Sequence, residues 1–437
     1  MPFDINNRFY LAIVTTVASL GGFLFGFDMA VISGILPLVQ KEFSLSAAQE
    51  GWFVSCALVG CIIGVALSGE LSDRFGRKKP LVLSAVLFLL SGLGCAFLPE
   101  LSWIIVARIA GGIGIGLASN VVPLYISEIA PASVRGRMVT FYQFALTFGI
   151  LLAYLSNAGL LGYSLNNALS AADDIFSYIF ISKVWRGMFA IEVIPSLLFL
   201  AGLFFVPESP RWLAQRGQAS RENVSYRELF SPQLRKAMLI GILLPLFSQF
   251  SGINAIIYYG PSILNDAGIT LENSLASQVV FGLANMLFTL VAIWKVDSLG
   301  RRPLYIAGTA GATVALFLTG LCFYTGQTNG MLLVVCVLFF LACFAFSIGP
   351  LKFVVASEIF PARIRGRAMA VSIMVMWIAD TIVGQLTPVL IDSFGTASTF
   401  FFFAFSCLVA LVTVYRLLPE TRGKTLEQIE NEWSYHH

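Results

Sequence analysis

Ser127-Glu-Ile-Ala-Pro-Ala-Ser-Val-Arg-Gly-Arg137 returns about half a chain later as Ser357-Glu-Ile-Phe-Pro-Ala-Arg-Ile-Arg-Gly-Arg367. Each copy closes an apolar stretch long enough for a membrane-crossing helix, and each has matching neighbours. Asp73-Arg-Phe-Gly-Arg-Lys-Lys79 precedes the first copy and Asp297-Ser-Leu-Gly-Arg-Arg302 the second. Pro207-Glu-Ser-Pro-Arg-Trp212 follows the first and Pro419-Glu-Thr-Arg-Gly423 the second. Three motifs repeated in one order, each after the equivalent helix, mean that one plan is used twice.

The stretches between these motifs decide the solvent. Of 437 residues, 57% are apolar and 12% charged, and the mean hydropathy is +0.83. A soluble chain carries about a quarter charged residues, so this one cannot cover itself in water. Its apolar residues fall in blocks of about 20, the length of a helix crossing a hydrocarbon core of roughly 30 Å. Only a helix or a closed barrel satisfies its own backbone there. Twelve blocks run over approximately 9–38, 49–71, 80–98, 103–128, 137–162, 186–206, 237–265, 274–296, 303–325, 331–359, 367–391 and 398–418. The expectation is an all-α membrane protein of twelve transmembrane helices in two six-helix bundles, 1–206 and 237–418. A short cytoplasmic linker, 207–236, joins them, and 419–437 form a cytoplasmic tail. The first block is too long for a cleaved signal peptide, and Pro37 stands where a small-residue cleavage site belongs.

Charge orients the chain. Lys and Arg gather at Arg8, after the even-numbered blocks and in the tail, whereas the opposite side holds only Lys41, Lys183 and Arg186. The positive-inside rule then puts both termini in the cytoplasm of a plasma-membrane protein. The seven cysteines lie in apolar spans without metal-ligand spacing and read as small buried hydrophobes. The only histidines are His436 and His437, so histidine chemistry is excluded. There is no nucleophile elbow or phosphate loop, and Gly111-Gly-Ile-Gly-Ile-Gly116 lies inside a helix with no preceding strand. It reads as close helix packing rather than a dinucleotide site. The chain is not expected to be an enzyme, to need a cofactor or metal, or to bind nucleic acid. Two similar bundles suit transport, because they can rock about a midplane site.

Ionisable residues inside spans mark function or pairing. Asp28 lies about 11 residues, or roughly 16 Å, below the outer end of helix 1, and Arg108 lies roughly 10 Å below the outer end of helix 4. The depths allow pairing. If a conformational cycle parts them, the desolvated carboxyl takes a proton; the alternative is a permanent structural ion pair. Glu192 in helix 6 is a further candidate for the proton relay. Lys352, after Gly349-Pro350 in helix 10, and Asp380 in helix 11 form a second set of odd charges, read equally as structural or as part of a substrate path. Amides are scarce in the spans, so Gln143, Gln249, Asn254 and Asn285 stand out, with Gly252 placed to relax helix 7 between its two amides. With Phe25, Tyr258, Phe353 and Trp377 as stacking faces, they suit a ligand with a hydroxyl rim and an apolar face; packing between helices is the alternative.

The repeated motifs, with Gly26-Phe-Asp-Met-Ala-Val-Ile-Ser-Gly34 and Gln249-Phe-Ser-Gly-Ile-Asn-Ala-Ile-Ile-Tyr-Tyr259, resemble the sugar porter family of the major facilitator superfamily over nearly the whole chain. Within it, the chain looks most like bacterial sugar–proton symporters of the xylose–proton type. The resemblance implies a proton-coupled monosaccharide importer, a monomer in the bilayer, working by alternating access. A passive uniporter is the runner-up, and a sugar-sensing receptor a more distant one. Symporters of this family carry Asp at the Asp28 position, where passive glucose facilitators typically carry Asn. Gln143, Gln249, Asn254, Tyr258, Asn285 and Trp377 align with sugar-contacting positions. The chain departs from the pattern where a Gln-Gln pair becomes Ser248-Gln249, a helix 10 Trp becomes Phe353, and the helix 11 Gln and Asn become Met376 and Asp380, so the sugar's identity stays open. The resemblance also implies an inner-gate charge network: Asp73, Arg77, Glu128, Arg135 and Glu208 in one half, Asp297, Arg301, Glu358, Arg365 and Glu420 in the other. Alternatively, the arginines serve topology alone. The linker is shorter than in relatives, and the outer loop at about 163–185 is comparatively long.

Overall fold

The computed structural model describes residues 8–130, 135–168, 174–215, 229–326, 330–360 and 365–422. Among them, twelve helices are long and apolar enough to cross a membrane, and there is no strand. In chain order they are α1 (Arg8–Phe43), α2 (Ala47–Phe75), α3 (Lys78–Phe97), α4 (Leu101–Ile129), α5 (Arg135–Asn167) and α6 (Val184–Phe205). The second six are α7 (Arg235–Phe250 and Ile253–Asp266), α8 (Leu271–Leu299), α9 (Arg301–Tyr324), α10 (Gly330–Ile359), α11 (Arg365–Phe394) and α12 (Thr396–Leu417). Every expected span is present.

Contacts group the chain into two compact units, Met1–Gln218 with Ile257–Gly282, and Ala219–Ile256 with Leu283–His437. In the first unit, small residues bring backbones together. Gly60 and Gly64 of α2 face Gly112 and Gly116 of α4, and a Cβ on Gly64 would stand 2.9 Å from the Gly116 Cα. The Gly111–Gly116 stretch is thus a packing seam, as its place inside a helix implies. In the same way, Gly26 of α1 lies against the Leu146 carbonyl and Gly149 of α5 against that of Phe23. The C-terminal end of α7 and the start of α8 belong to this unit. The Tyr258 hydroxyl lies 3.9 Å from the Met29 sulfur, and a Cβ on Gly282 would lie 2.8 Å from the Tyr154 ring. In the second unit, α9 packs on α12, with Phe323 and Phe400 stacked at 5.7 Å. All seven cysteines are buried, and none is in a disulfide.

Among the described residues three helices are interrupted, each near a candidate site residue. Turns at Ile191 and Glu192 divide α6 into Val184–Ala190 and Val193–Phe205. In α7 the break is at Ser251 and Gly252; Gly252 has φ +80°, a left-handed conformation costly for any residue with a Cβ. In α10 a π turn, Phe344–Ile348, precedes Gly349–Ile359. Pro350 has no N–H to give to the turn before it, and the helix widens there.

Candidate functional site

The first cluster lies in the first unit, where α1, α4 and α6 bring Asp28, Arg108 and Glu192 together. Their relative exposures are 3%, 3% and 0%. The Arg108 Nη1 stands 3.9 Å from the Asp28 Oδ1, an ion pair too long to be a hydrogen bond. Arg108 is anchored elsewhere: its Nε donates to the Phe53 carbonyl at 3.0 Å. Its guanidinium also packs against the Phe53 and Phe189 rings at 5.3 and 5.6 Å. Neither carboxylate oxygen of Glu192 has a hydrogen-bond partner, and the residue lies within electrostatic reach of both Asp28 and Arg108. One guanidinium therefore faces two buried carboxyls.

The sugar-site candidates divide between the units. Phe25, Gln143 and Tyr258 are in the first unit, Gln249, Asn254, Asn285, Trp377 and Asp380 in the second. Within the second, the Asn254 amide donates to the Gln249 Oε1 at 2.9 Å across the Gly252 break, so the break joins the two amides instead of merely separating them. Trp377 and Asp380 are both 1% exposed. Lys352 donates to the Ser248 Oγ at 2.8 Å and feels the Asp380 charge. The side chains of Phe353, Arg135, Asp297 and Arg365 lie outside the described residues.

The repeated motifs build one cluster in each unit, and the two are nearly superimposable in chemistry. In the first, Arg77 forks onto Glu128 (Nε–Oε2 2.9 Å, Nη2–Oε1 2.8 Å) and also donates to the Ser72 carbonyl at 2.7 Å. Asp73 lies 3.5 Å from Arg77. Glu208 accepts from the backbone N–H groups of Arg77 and Ser209, both at 2.8 Å, and from that of Lys78. In the second, Arg301 binds Glu358 (Nη2–Oε1 2.8 Å), and Glu420 accepts from the backbone of Arg301 and Arg302 at 3.1 Å and of Arg422 at 2.8 Å. Gly76 and Gly300, at φ +90° and +88°, turn the chain so that these N–H groups face the two glutamates. A Cβ on either glycine would meet the glutamate carboxylate.

Glu420 is the carboxyl here whose acidity is visibly set by its surroundings. Partial burial pushes it up, but the N–H groups of Arg422, Arg301, Arg302 and Thr421 outweigh that and hold it below its ordinary range. Two members of these clusters escaped the sequence reading. Ser209 donates to Glu128 at 2.5 Å, and Thr421 to Glu358 at 2.6 Å. The signal was in the repeat: Pro-Glu is followed by a hydroxyl residue both times.

A family model described as "Sugar (and other) transporter" matches residues 14–222 and 214–433. The arabinose–proton symporter of Bacillus subtilis is 36% identical over 97% of this chain and 95% of its own length. The D-xylose–proton symporter of Escherichia coli is 37% identical over 98% and 96%. An inward-open structure of the xylose transporter of E. coli superposes with a TM-score of 0.80 at 36% identity, covering 97% of this chain and all of that one. The twelve-helix architecture is therefore the major facilitator fold.

Proposed function

The chain belongs to the sugar transporter family, and on that premise we propose that it is a proton-coupled importer of a monosaccharide. It moves its substrate by alternating access and catalyses no covalent step. Relatives named for arabinose–proton and xylose–proton symport bring substrate and coupling ion to this reading. The plasma membrane, cytoplasmic termini and a monomer complete it.

The observation that carries the coupling is the cluster of Asp28, Arg108 and Glu192. Burying an uncompensated charge is costly, so such groups pair or are neutralised. One guanidinium balances one carboxylate, and the second carboxyl is at home there as the neutral acid. The cluster therefore balances with one proton bound. Because Arg108 is fixed by Phe53 and the rings of Phe53 and Phe189, a proton can arrive on a carboxyl without collapse of the cation's seat. The sugar would be held by Gln143, Gln249, Asn254 and Asn285, with Phe25, Tyr258, Phe353 and Trp377 as apolar faces. The two cytoplasmic clusters would secure the inner gate.

The test is uptake of labelled D-xylose, L-arabinose and D-glucose into proteoliposomes, with and without an inward proton gradient. One sugar is expected to accumulate above equilibrium only with the gradient. Asp28→Asn should abolish that accumulation and keep sugar exchange. Uptake that merely equilibrates, indifferent to gradient and substitution, would make the protein a passive uniporter and Asp28–Arg108 a structural pair.

A further inference from the structure

The second unit holds a buried charge pair of a different kind. Ser248 on α7, Lys352 on α10 and Asp380 on α11 are 0%, 7% and 1% exposed. The Lys352 ammonium donates to the Ser248 hydroxyl at 2.8 Å, lies 6.0 Å from the centre of the Phe344 ring in the π turn, and is within electrostatic reach of Asp380. The first unit's cluster sets two carboxyls against one cation. This one sets one carboxyl against one cation, so it is balanced as it stands and needs no proton to be neutral. A balanced pair suits recognition rather than coupling: it offers a charged donor and a charged acceptor within electrostatic reach of each other.

Its neighbours are recognition groups. Ser248 adjoins Gln249, which is bonded to Asn254. Trp377 precedes Asp380 by three residues on α11, on the same helical face, and is as deeply buried. Two of the four positions at which the chain departs from the family pattern, Ser248 and Asp380, accompany Lys352.

We propose that Ser248, Lys352 and Asp380 form a subsite that reads two neighbouring hydroxyls of the sugar, the ammonium donating to one and the carboxylate accepting from the other. The inference rests on the sugar-transport reading and deepens it. Hydrogen bonds to charged groups discriminate more steeply than those to amides, because a missing hydroxyl leaves a buried charge short of a partner. Ser248 keeps the ammonium oriented while the site is empty. The same balance excludes sugar acids, since an added carboxylate would meet no uncompensated cation.

The experiment measures equilibrium binding of D-xylose, L-arabinose and D-glucose to the purified full chain, then of each monodeoxy derivative of the best binder. In the wild type, removal of either of two adjacent hydroxyls should weaken binding about tenfold to a hundredfold, the size expected for bonds to charged groups. The other positions should cost less. The doubly neutral variant Lys352→Met with Asp380→Asn leaves no unpaired charge and should flatten that profile, binding the parent sugar about as weakly as the wild type binds the sensitive deoxy derivatives. D-Glucuronate should not compete. A flat wild-type profile, a steep profile kept by the double variant, or glucuronate binding as well as glucose would each overturn the subsite. The wild-type profile requires no substitution, so misfolding of a variant cannot shield the idea. Parent-sugar binding with a flat profile sinks this inference alone; failure of all three parent sugars to bind sinks the transport reading with it.

Discussion

Arg108 shows how a buried charge can be held without its obvious partner. Its bond to the Phe53 carbonyl and its two ring contacts fix the guanidinium, leaving Asp28 at 3.9 Å. A carboxylate bonded directly to the fork would be locked; one held at this distance is drawn to the cation and, on the proposed coupling, would take the proton. Glu420 illustrates the opposite design. Its oxygens collect backbone N–H groups at 2.8–3.1 Å, and those donors favour the ionised form. Because its folded value lies below the ordinary one, its contribution to stability is present above the unfolded value near 4.5 and is lost as pH falls through the folded value. Glu420→Gln should therefore melt at a lower temperature than wild type at pH 7, since an amide nitrogen would face the Arg302 N–H. The gap should close as pH is lowered past 4.5. Melting curves of both proteins across pH 3–8 check this (range chosen around the roughly 4.3 of an unperturbed Glu), and a gap constant over that range would refute it.

At the scale of the element, the interruptions matter more than the helices. Gly252 is the clearest case: φ +80° would strain any other residue, and an added Cβ would stand 2.6 Å from the Phe403 ring. Gly252→Ala should cost about 1–2 kcal/mol from the backbone alone. It should also loosen the Gln249–Asn254 bond that spans the break. Gly159→Ala is the control, since a Cβ on Gly159 meets nothing within 4 Å. Melting in detergent and sugar affinity would be compared for both; equal behaviour would show that the break carries no strain and positions nothing. Sequence could locate this break, because a glycine between two amides inside an apolar run has few other uses. It could not locate the turns at Ile191 and Glu192 or the π turn at Phe344–Ile348. Those depend on which residues face them from other helices, and no local pattern records that. The twelve spans were legible because the bilayer imposes a length on every one. The buried charges were legible because hydrocarbon makes each one conspicuous. Ser209 and Thr421 were overlooked because a hydroxyl beside a glutamate is ordinary until the Arg77–Glu128 and Arg301–Glu358 forks show what it serves.

For the whole molecule, the lesson is that duplication preserved a device as well as a fold. Each half ends its fourth helix in a glutamate, grips it with an arginine from the junction of its second and third helices, and ties its sixth helix back through a second glutamate. The copies differ in burial: the Arg77 and Glu128 side chains are 2% and 5% exposed, those of Arg301 and Glu358 12% and 23%. An ion pair gains strength as solvent is excluded, and losing one partner of a buried pair costs more than losing one of an exposed pair. If both clusters bias the closed state of the inner gate, Arg77→Ala should lower the maximal uptake rate about tenfold, an effect of roughly 1.4 kcal/mol. Arg301→Ala should lower it less. Sugar affinity should change little in either, because neither arginine is among the sugar-site residues. Arg77→Lys should rescue poorly, since an ammonium cannot fork onto the Glu128 carboxylate while also serving the Ser72 carbonyl in the same plane. Initial uptake rates over a range of sugar concentrations, paired with equilibrium binding, separate the two parameters. A loss confined to affinity would move these clusters out of the gate and into the substrate path. Wild-type kinetics in both variants would leave the arginines with no task beyond orienting the chain in the membrane.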